Sequence, residues 1–190
     1  VPDAPGGADD AGALPPVDPA SLDASACQLC TVFVTTQTFR PGTDFSNVEA
    51  ADDLCTRAAN APGVEPPIAG RRYVAWISAS GHDVRARLGD AGPYVVPGGA
   101  VVAANTFDLR DGVFMTPLDR RIGGTQTVDT AAWTGTINGG VAADIDCLGW
   151  TVSSATEFGQ VGQPTSTSPT WTSNGRQTCD QSHPLYCIEQ

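Results

Sequence analysis

Six cysteines, two histidines and a scatter of carboxylates are the residues in this chain that could do chemistry. The cysteines stand at Cys27, Cys30, Cys55, Cys147, Cys179 and Cys187. Cys27-Gln28-Leu29-Cys30 is a C-x-x-C. A redox pair of that spacing sits between a strand and a helix start, where the helix dipole lowers the thiol pKa. Here the pair follows a Pro/Ala/Asp-rich stretch and precedes a strand-like segment, so redox catalysis does not fit. A zinc site would need further ligands, and no second C-x-x-C exists. The spacing points to a local disulfide, with pairing to another chain as the alternative. An even cysteine count at wide spacing, in an acidic and loop-rich chain, reads as a disulfide framework in an oxidising compartment.

The histidines, His82 and His183, stand in Ser80-Gly81-His82-Asp83 and Ser182-His183-Pro184-Leu185. No G-x-S-x-G accompanies them, and the acidic residues are mostly single and in turns. No enzyme activity and no cofactor is expected. Asp144 and Asp146 beside Cys147, with Asn138-Gly139-Gly140 upstream, could supply oxygens to a cation. Asp and Asn also cap turns through their own backbone, and that reading is preferred.

Composition narrows the partners. The chain has 190 residues and a net charge of −11, which suits one domain with a tail. The charge excludes nucleic acid, heparin-like polymers and anionic membranes as main partners. Gly (21) and Pro (15) are abundant, so many turns and ordered loops are expected. No apolar run approaches the about 18 residues needed to span a membrane. The chain opens Val1-Pro2-Asp3 and reads as a mature or trimmed form.

Several elements are needed to position these groups. Residues 1–26 form an acidic Pro/Ala/Gly-rich arm without periodicity, expected to be an extended linker. Residues 27–190 form the domain. Thr31–Thr36 is β-branched and aromatic, hence a strand. Ser46-Asn47-Val48-Glu49 reads as a capping box with Ser46 as the cap. Behind it Val48, Ala51, Leu54, Cys55 and Ala58 recur at helical spacing. A strand over 72–78, a second, short helix around 83–88 and a hairpin over 94–103 follow. Short strands are expected at 133–136 and 149–152, then a long Ser/Thr-rich loop over 151–178, then a closing strand at 185–188. The fold class is α+β: two helices on small twisted antiparallel sheets.

The ordered set resembles the bacterial endostatin-like domain family, a branch of the C-type lectin-like fold, over about residues 31–190. It comprises the helix bearing Cys55, Val74-Ala75-Trp76-Ile77-Ser78, Gly92-Pro93-Tyr94-Val95, Trp133-Thr134-Gly135-Thr136, Cys147-Leu148-Gly149-Trp150-Thr151, Trp171-Thr172-Ser173, Cys179 and Leu185-Tyr186-Cys187-Ile188. The resemblance implies nested disulfides, Cys55 to Cys187 and Cys147 to Cys179. It also implies a secreted or cell-surface, non-enzymatic recognition module that binds a glycan or an extracellular protein in adhesion. C-type lectins hold calcium and sugar with a carboxamide–Pro–carboxylate motif and a Trp-Asn-Asp strand. This chain has Gln163-Pro164-Thr165 and Trp171-Thr172-Ser173-Asn174 at those places. The carboxylates are gone, and calcium wants six to eight oxygens, several of them charged, so no metal is expected. Ligand contacts are expected at Gln163, Thr165, Trp171 and Asn174, although Trp171 also reads as core packing beside Cys179. The N-terminal zinc histidines and clustered heparin-binding arginines of endostatin have no counterpart: Arg71-Arg72 and Arg120-Arg121 are isolated pairs. A second reading is a structural subunit of an extracellular homo-oligomer or filament, held partly by residues 1–26 along a sheet edge.

Overall fold

The computed structural model describes residues 14–22, 27–129 and 131–190. In chain order its elements are β1 (Cys30–Val34), α1 (Val48–Ala59), β2 (Tyr73–Ala75), β3 (Tyr94–Val95), β4 (Val101–Ala103), α2 (Thr106–Asp111), β5 (Ala132–Trp133), β6 (Thr136–Ile137), β7 (Val141–Ala142), β8 (Phe158–Gly162), β9 (Arg176–Thr178) and β10 (Tyr186–Glu189). The architecture is α+β, with small sheets and three disulfides. The largest sheet has the order β2-β10-β1-β3-β4. Its pairs are antiparallel except β1 with β3. A second sheet has the order β5-β8-β9, and β6 pairs with β7.

The central strands are buried on both faces, and the period of two explains how. Phe33, Tyr73, Ala75 and Cys187 point into one apolar cluster, together with Val48, Ala51, Leu54, Cys55 and Ala58 of α1. Their alternating neighbours Val32, Val34, Val74, Trp76, Tyr186 and Ile188 point into the other, which holds Leu109, Phe114 and Trp171. The sheet therefore divides two cores. Cys55 of α1 is bonded to Cys187 of β10, Cys147 to Cys179, and Cys27 to Cys30. The first two are the nested pairs that the resemblance implies, and Cys27–Cys30 is a link within the chain.

The sheet edges are covered. On β2 the Tyr73 and Ala75 N–H groups donate to Thr56 Oγ1 (3.1 Å) and Asp52 Oδ1 (2.8 Å) of α1. At β4 the Met115 N–H donates to the Val102 carbonyl (2.9 Å). Such coverage blocks strand addition, so this sheet presents no open edge there to an incoming arm. Of the arm, residues 1–13 and 23–26 lie outside the described residues. Leu14 is buried in the same cluster as α1, and its carbonyl accepts from the Arg57 guanidinium (3.1 Å). A segment expected to be a linker thus contributes one core side chain, because a large aliphatic gains more by burial than by standing in water.

Five local expectations need correction. The strand expected at 133–136 is split: β5 ends at Trp133 and β6 starts at Thr136, with Gly135 between them in the left-handed region (φ 53°). The cap of α1 is Asn47, whose side chain accepts from the Ala50 N–H (2.7 Å), not Ser46. Asn caps as well as Ser, and the expected stripe of Val48, Ala51, Leu54, Cys55 and Ala58 is the buried one. The short helix expected at 83–88 is a single 3-10 turn, Val84–Ala86. The second α-helix is α2, capped by Asn105 and stopped by Gly112 in the left-handed region (φ 85°). The 151–178 stretch is not one loop: it contains β8, a 3-10 turn at Pro169–Trp171, and β9.

Residues 149–152 are not a strand. Cys147, Leu148, Gly149 and Trp150 have φ of 53°, 54°, 69° and 70°, a left-handed turn closed by Trp150 N–H to the Asp146 carbonyl (2.6 Å). Left-handed backbone costs about 1–2 kcal/mol per non-glycine residue. Three ties offset it. The Cys147 disulfide is one. The Asp146 carboxylate, accepting from the Ser80 and Gly149 N–H groups (both 2.9 Å), is the second. The Trp150 indole, donating to the Ser78 carbonyl (2.9 Å), is the third.

The bridge between α1 and β10 spans 132 residues, and a loop of that length is worth about 5 kcal/mol by denatured-state entropy. Replacing Cys55 and Cys187 together by Ala should lower the unfolding free energy by several kcal/mol in urea titrations. A loss below about 1 kcal/mol would mean that α1 and β10 are held by packing alone.

Candidate functional site

The loop expected to carry recognition is built on Trp171. Its ring is fully buried and lies against Phe114 (4.4 Å between centroids), Trp76 (4.7 Å) and Tyr186 (5.5 Å). Its carbonyl accepts from the Tyr186 hydroxyl (2.9 Å). The next residue, Thr172, is gripped from both sides. Its hydroxyl accepts from the Trp76 indole (2.8 Å), and its carbonyl accepts from the Thr134 hydroxyl (2.7 Å). Strand β8 runs close beneath: a side chain at Gly162 would place its Cβ 1.8 Å from the Trp171 carbonyl oxygen. Only glycine permits that approach. The loop then closes on itself, with Gln163 N–H to the Thr170 carbonyl (2.9 Å) and Ser166 N–H to the Gln163 carbonyl (3.0 Å).

On this base stands a triangle of hydroxyls. Ser166 Oγ is 2.7 Å from Thr170 Oγ1 and 3.1 Å from Ser168 Oγ, and Ser168 Oγ is 3.0 Å from Thr170 Oγ1. Beside it the Gln163 side-chain amide donates to Thr165 Oγ1 (3.2 Å). Each hydroxyl has one donor and two acceptor sites. A closed triangle uses one of each, and Ser166 Oγ also accepts from the Ser168 N–H (3.1 Å), so one acceptor site is left on Ser168 and one on Thr170. Thr165, Thr167, Ser168 and Thr170 are exposed, and Ser166 is half-buried. The stretch 158–175 has no charged side chain and no histidine. Such an array suits hydrogen bonding to an uncharged polar partner, from groups already held in place.

Of the four residues expected to touch a ligand, the structure brings Gln163 and Thr165 together. Trp171 is turned into the core and offers no face to a ligand; its ring is what holds the loop. Asn174 is exposed, beyond the 3-10 turn, and its N–H donates to the Val161 carbonyl (2.8 Å). Ser166, Ser168 and Thr170 were not singled out by sequence, although their spacing around Pro169 was there to be read.

Other candidate chemistry is accounted for structurally. Asp146 caps the left-handed turn, and among the described residues no cluster of three or more His, Cys, Asp or Glu could hold a metal ion. A cavity of about 730 Å³ lies between Cys27–Leu29, Pro66-Pro67 and Arg71. Its carboxylate, Glu189, is taken by Arg71 Nε (2.6 Å) and the Thr31 N–H (2.6 Å). His82 is exposed near Glu49 (3.9 Å). His183 packs edge-on against Trp133 (4.7 Å), and its backbone pairs with Phe39. No protein-family model matches this chain, and no curated protein matches it.

Burial pushes the His183 pKa below its ordinary 6.5, against an opposing pull from Asp129. A histidine depressed in the folded state is protonated more readily when unfolded. Stability is therefore lost as pH falls through the unfolded value of 6.5. The native protein should lose unfolding free energy from about pH 7.5 to about pH 5.5, and His183→Gln should lose less over that window. Equal slopes would show that the folded imidazole takes up its proton as easily as the unfolded one.

Proposed function

We propose that this chain is a secreted, non-enzymatic recognition module of C-type lectin-like, endostatin-like fold. It binds a neutral glycan through the 163–170 loop, without calcium. The observation that carries the reading is the hydroxyl triangle on a charge-free stretch of a protein with net charge −11. A cation site would show carboxylates, and an anion would meet a repulsive field. A neutral glycan is rich in hydroxyls, the complement of this surface. The α1–β10 bridge, and the second bridge at the base of the loop region, support the fold reading. All six cysteines are paired, which supports an oxidising compartment, and no described helix is long and apolar enough to cross a membrane. The reading as a structural homo-oligomer joined by the arm is weaker, because both edges of the largest sheet are covered.

Native protein on an array of neutral glycans should bind a defined subset, and excess chelator should leave that binding unchanged. The triple variant Ser166→Ala, Ser168→Ala, Thr170→Ala should lose at least about tenfold in affinity, as two ligand hydrogen bonds of roughly 1 kcal/mol each, to Ser168 and Thr170, require. Its melting temperature should stay close to native. An array without signal, a chelator-sensitive signal, or undiminished binding by the triple variant would each overturn the assignment.

A further inference from the structure

A second uncharged segment, 112–118, adjoins the hydroxyl loop. The Phe114 N–H donates to the Thr167 carbonyl (2.9 Å), and the Phe114 ring lies on Trp171. Phe114 is buried, whereas its neighbours Val113 and Met115 are 64% and 67% exposed. Phe114 is thus turned inward and both neighbours outward. One backbone hydrogen bond thus joins an apolar pair to a hydroxyl array, with no charge in either segment. Of the large apolar side chains exposed among the described residues, Val113 and Met115 are the two that flank the residue bonded to the hydroxyl loop. Neither half of this surface suits an ion, and a ligand made only of hydroxyls would leave Val113 and Met115 without a partner.

Resting on the reading of the loop as a glycan-binding surface, we propose that Val113 and Met115 form a subsite for the acetamido group of an N-acetylated neutral sugar. That substituent carries a methyl group next to an amide N–H and carbonyl. The methyl would pack on the Val113 and Met115 side chains. The sugar hydroxyls would bond to the Ser168 and Thr170 oxygens across the Phe114–Thr167 junction. The specificity-determining residues are then apolar and lie outside the loop.

The test uses the native chain and neutral glycans in matched pairs that differ only in acetamido against hydroxyl at C2, such as tetra-N-acetylchitotetraose against cellotetraose and N-acetylgalactosaminides against galactosides. Titration calorimetry should show the acetamido member bound at least about fourfold tighter, the gain from burying one methyl-sized group. The double variant Val113→Asn, Met115→Gln, both exposed positions, should erase that preference and leave the affinity for the hydroxyl member unchanged. Equal affinity for the two members, or a preference that survives the double variant, would overturn the subsite and leave the glycan-binding reading standing. Binding to no member of any pair would overturn both.

Discussion

A sheet that is apolar on both faces must be covered twice, and most of this structure follows from that constraint. Phe33, Tyr73, Ala75 and Cys187 face one way, and Val32, Val34, Val74, Trp76, Tyr186 and Ile188 the other. Neither set can be left in water, since each large apolar side chain is worth about 1.5–3 kcal/mol on burial. Helix α1 covers the first face and is bolted to it through Cys55–Cys187. The second face has no helix of comparable length, because α2 is only six residues long. Its cover is assembled from Leu109 of α2, Phe114 just after it, and Trp171 from far along the chain.

That difference between the two covers explains where irregular backbone is tolerated. A helix satisfies its own backbone groups, whereas loop backbone packed on a core needs outside partners. Around Trp171 those partners are side chains: Tyr186 for its carbonyl and Thr134 for the carbonyl of Thr172. The left-handed turn at 147–150 has the same logic, with Asp146 accepting from two N–H groups and Trp150 donating to Ser78. Once anchored this way, residues 163–170 can stand out from the surface in a single arrangement, which lowers the entropy lost on binding.

The polar groups beneath the sheet serve structure. Asp52 of α1 accepts from the Ala75 N–H and is paired with Arg87 (2.5 Å). Burial raises its pKa, opposed by Arg87. Glu189 does comparable work between β10, Arg71 and Thr31. Each carboxylate closes backbone that the strand ladder leaves open, so neither is available as a free acid or base. The hydroxyl loop, by contrast, is satisfied largely by itself and keeps acceptor capacity facing solvent.

Periodicity alone determined much of this protein. The helical stripe ending in Ala58, the β-branched run of β1 and the 94–103 hairpin are local patterns, each written within a dozen residues, and each stands where its pattern points. The even cysteine count pointed to a disulfide framework, and all six cysteines are paired. Only the tertiary structure decided what depends on distant residues. Gly149–Val152 reads as a strand by side-chain type, but Gly149 and Trp150 belong to the left-handed turn 147–150, held by the Cys147–Cys179 disulfide and by hydrogen bonds of Asp146 and Trp150 to residues 80 and 78. The Ser/Thr-rich stretch hides β8 because its glycines, poor strand formers in isolation, are there for the close approach of Trp171 and Trp133. Trp171 and Thr165 stand six positions apart in sequence. One is core and the other surface only because Phe114, Trp76 and Tyr186 converge from elsewhere to claim the indole.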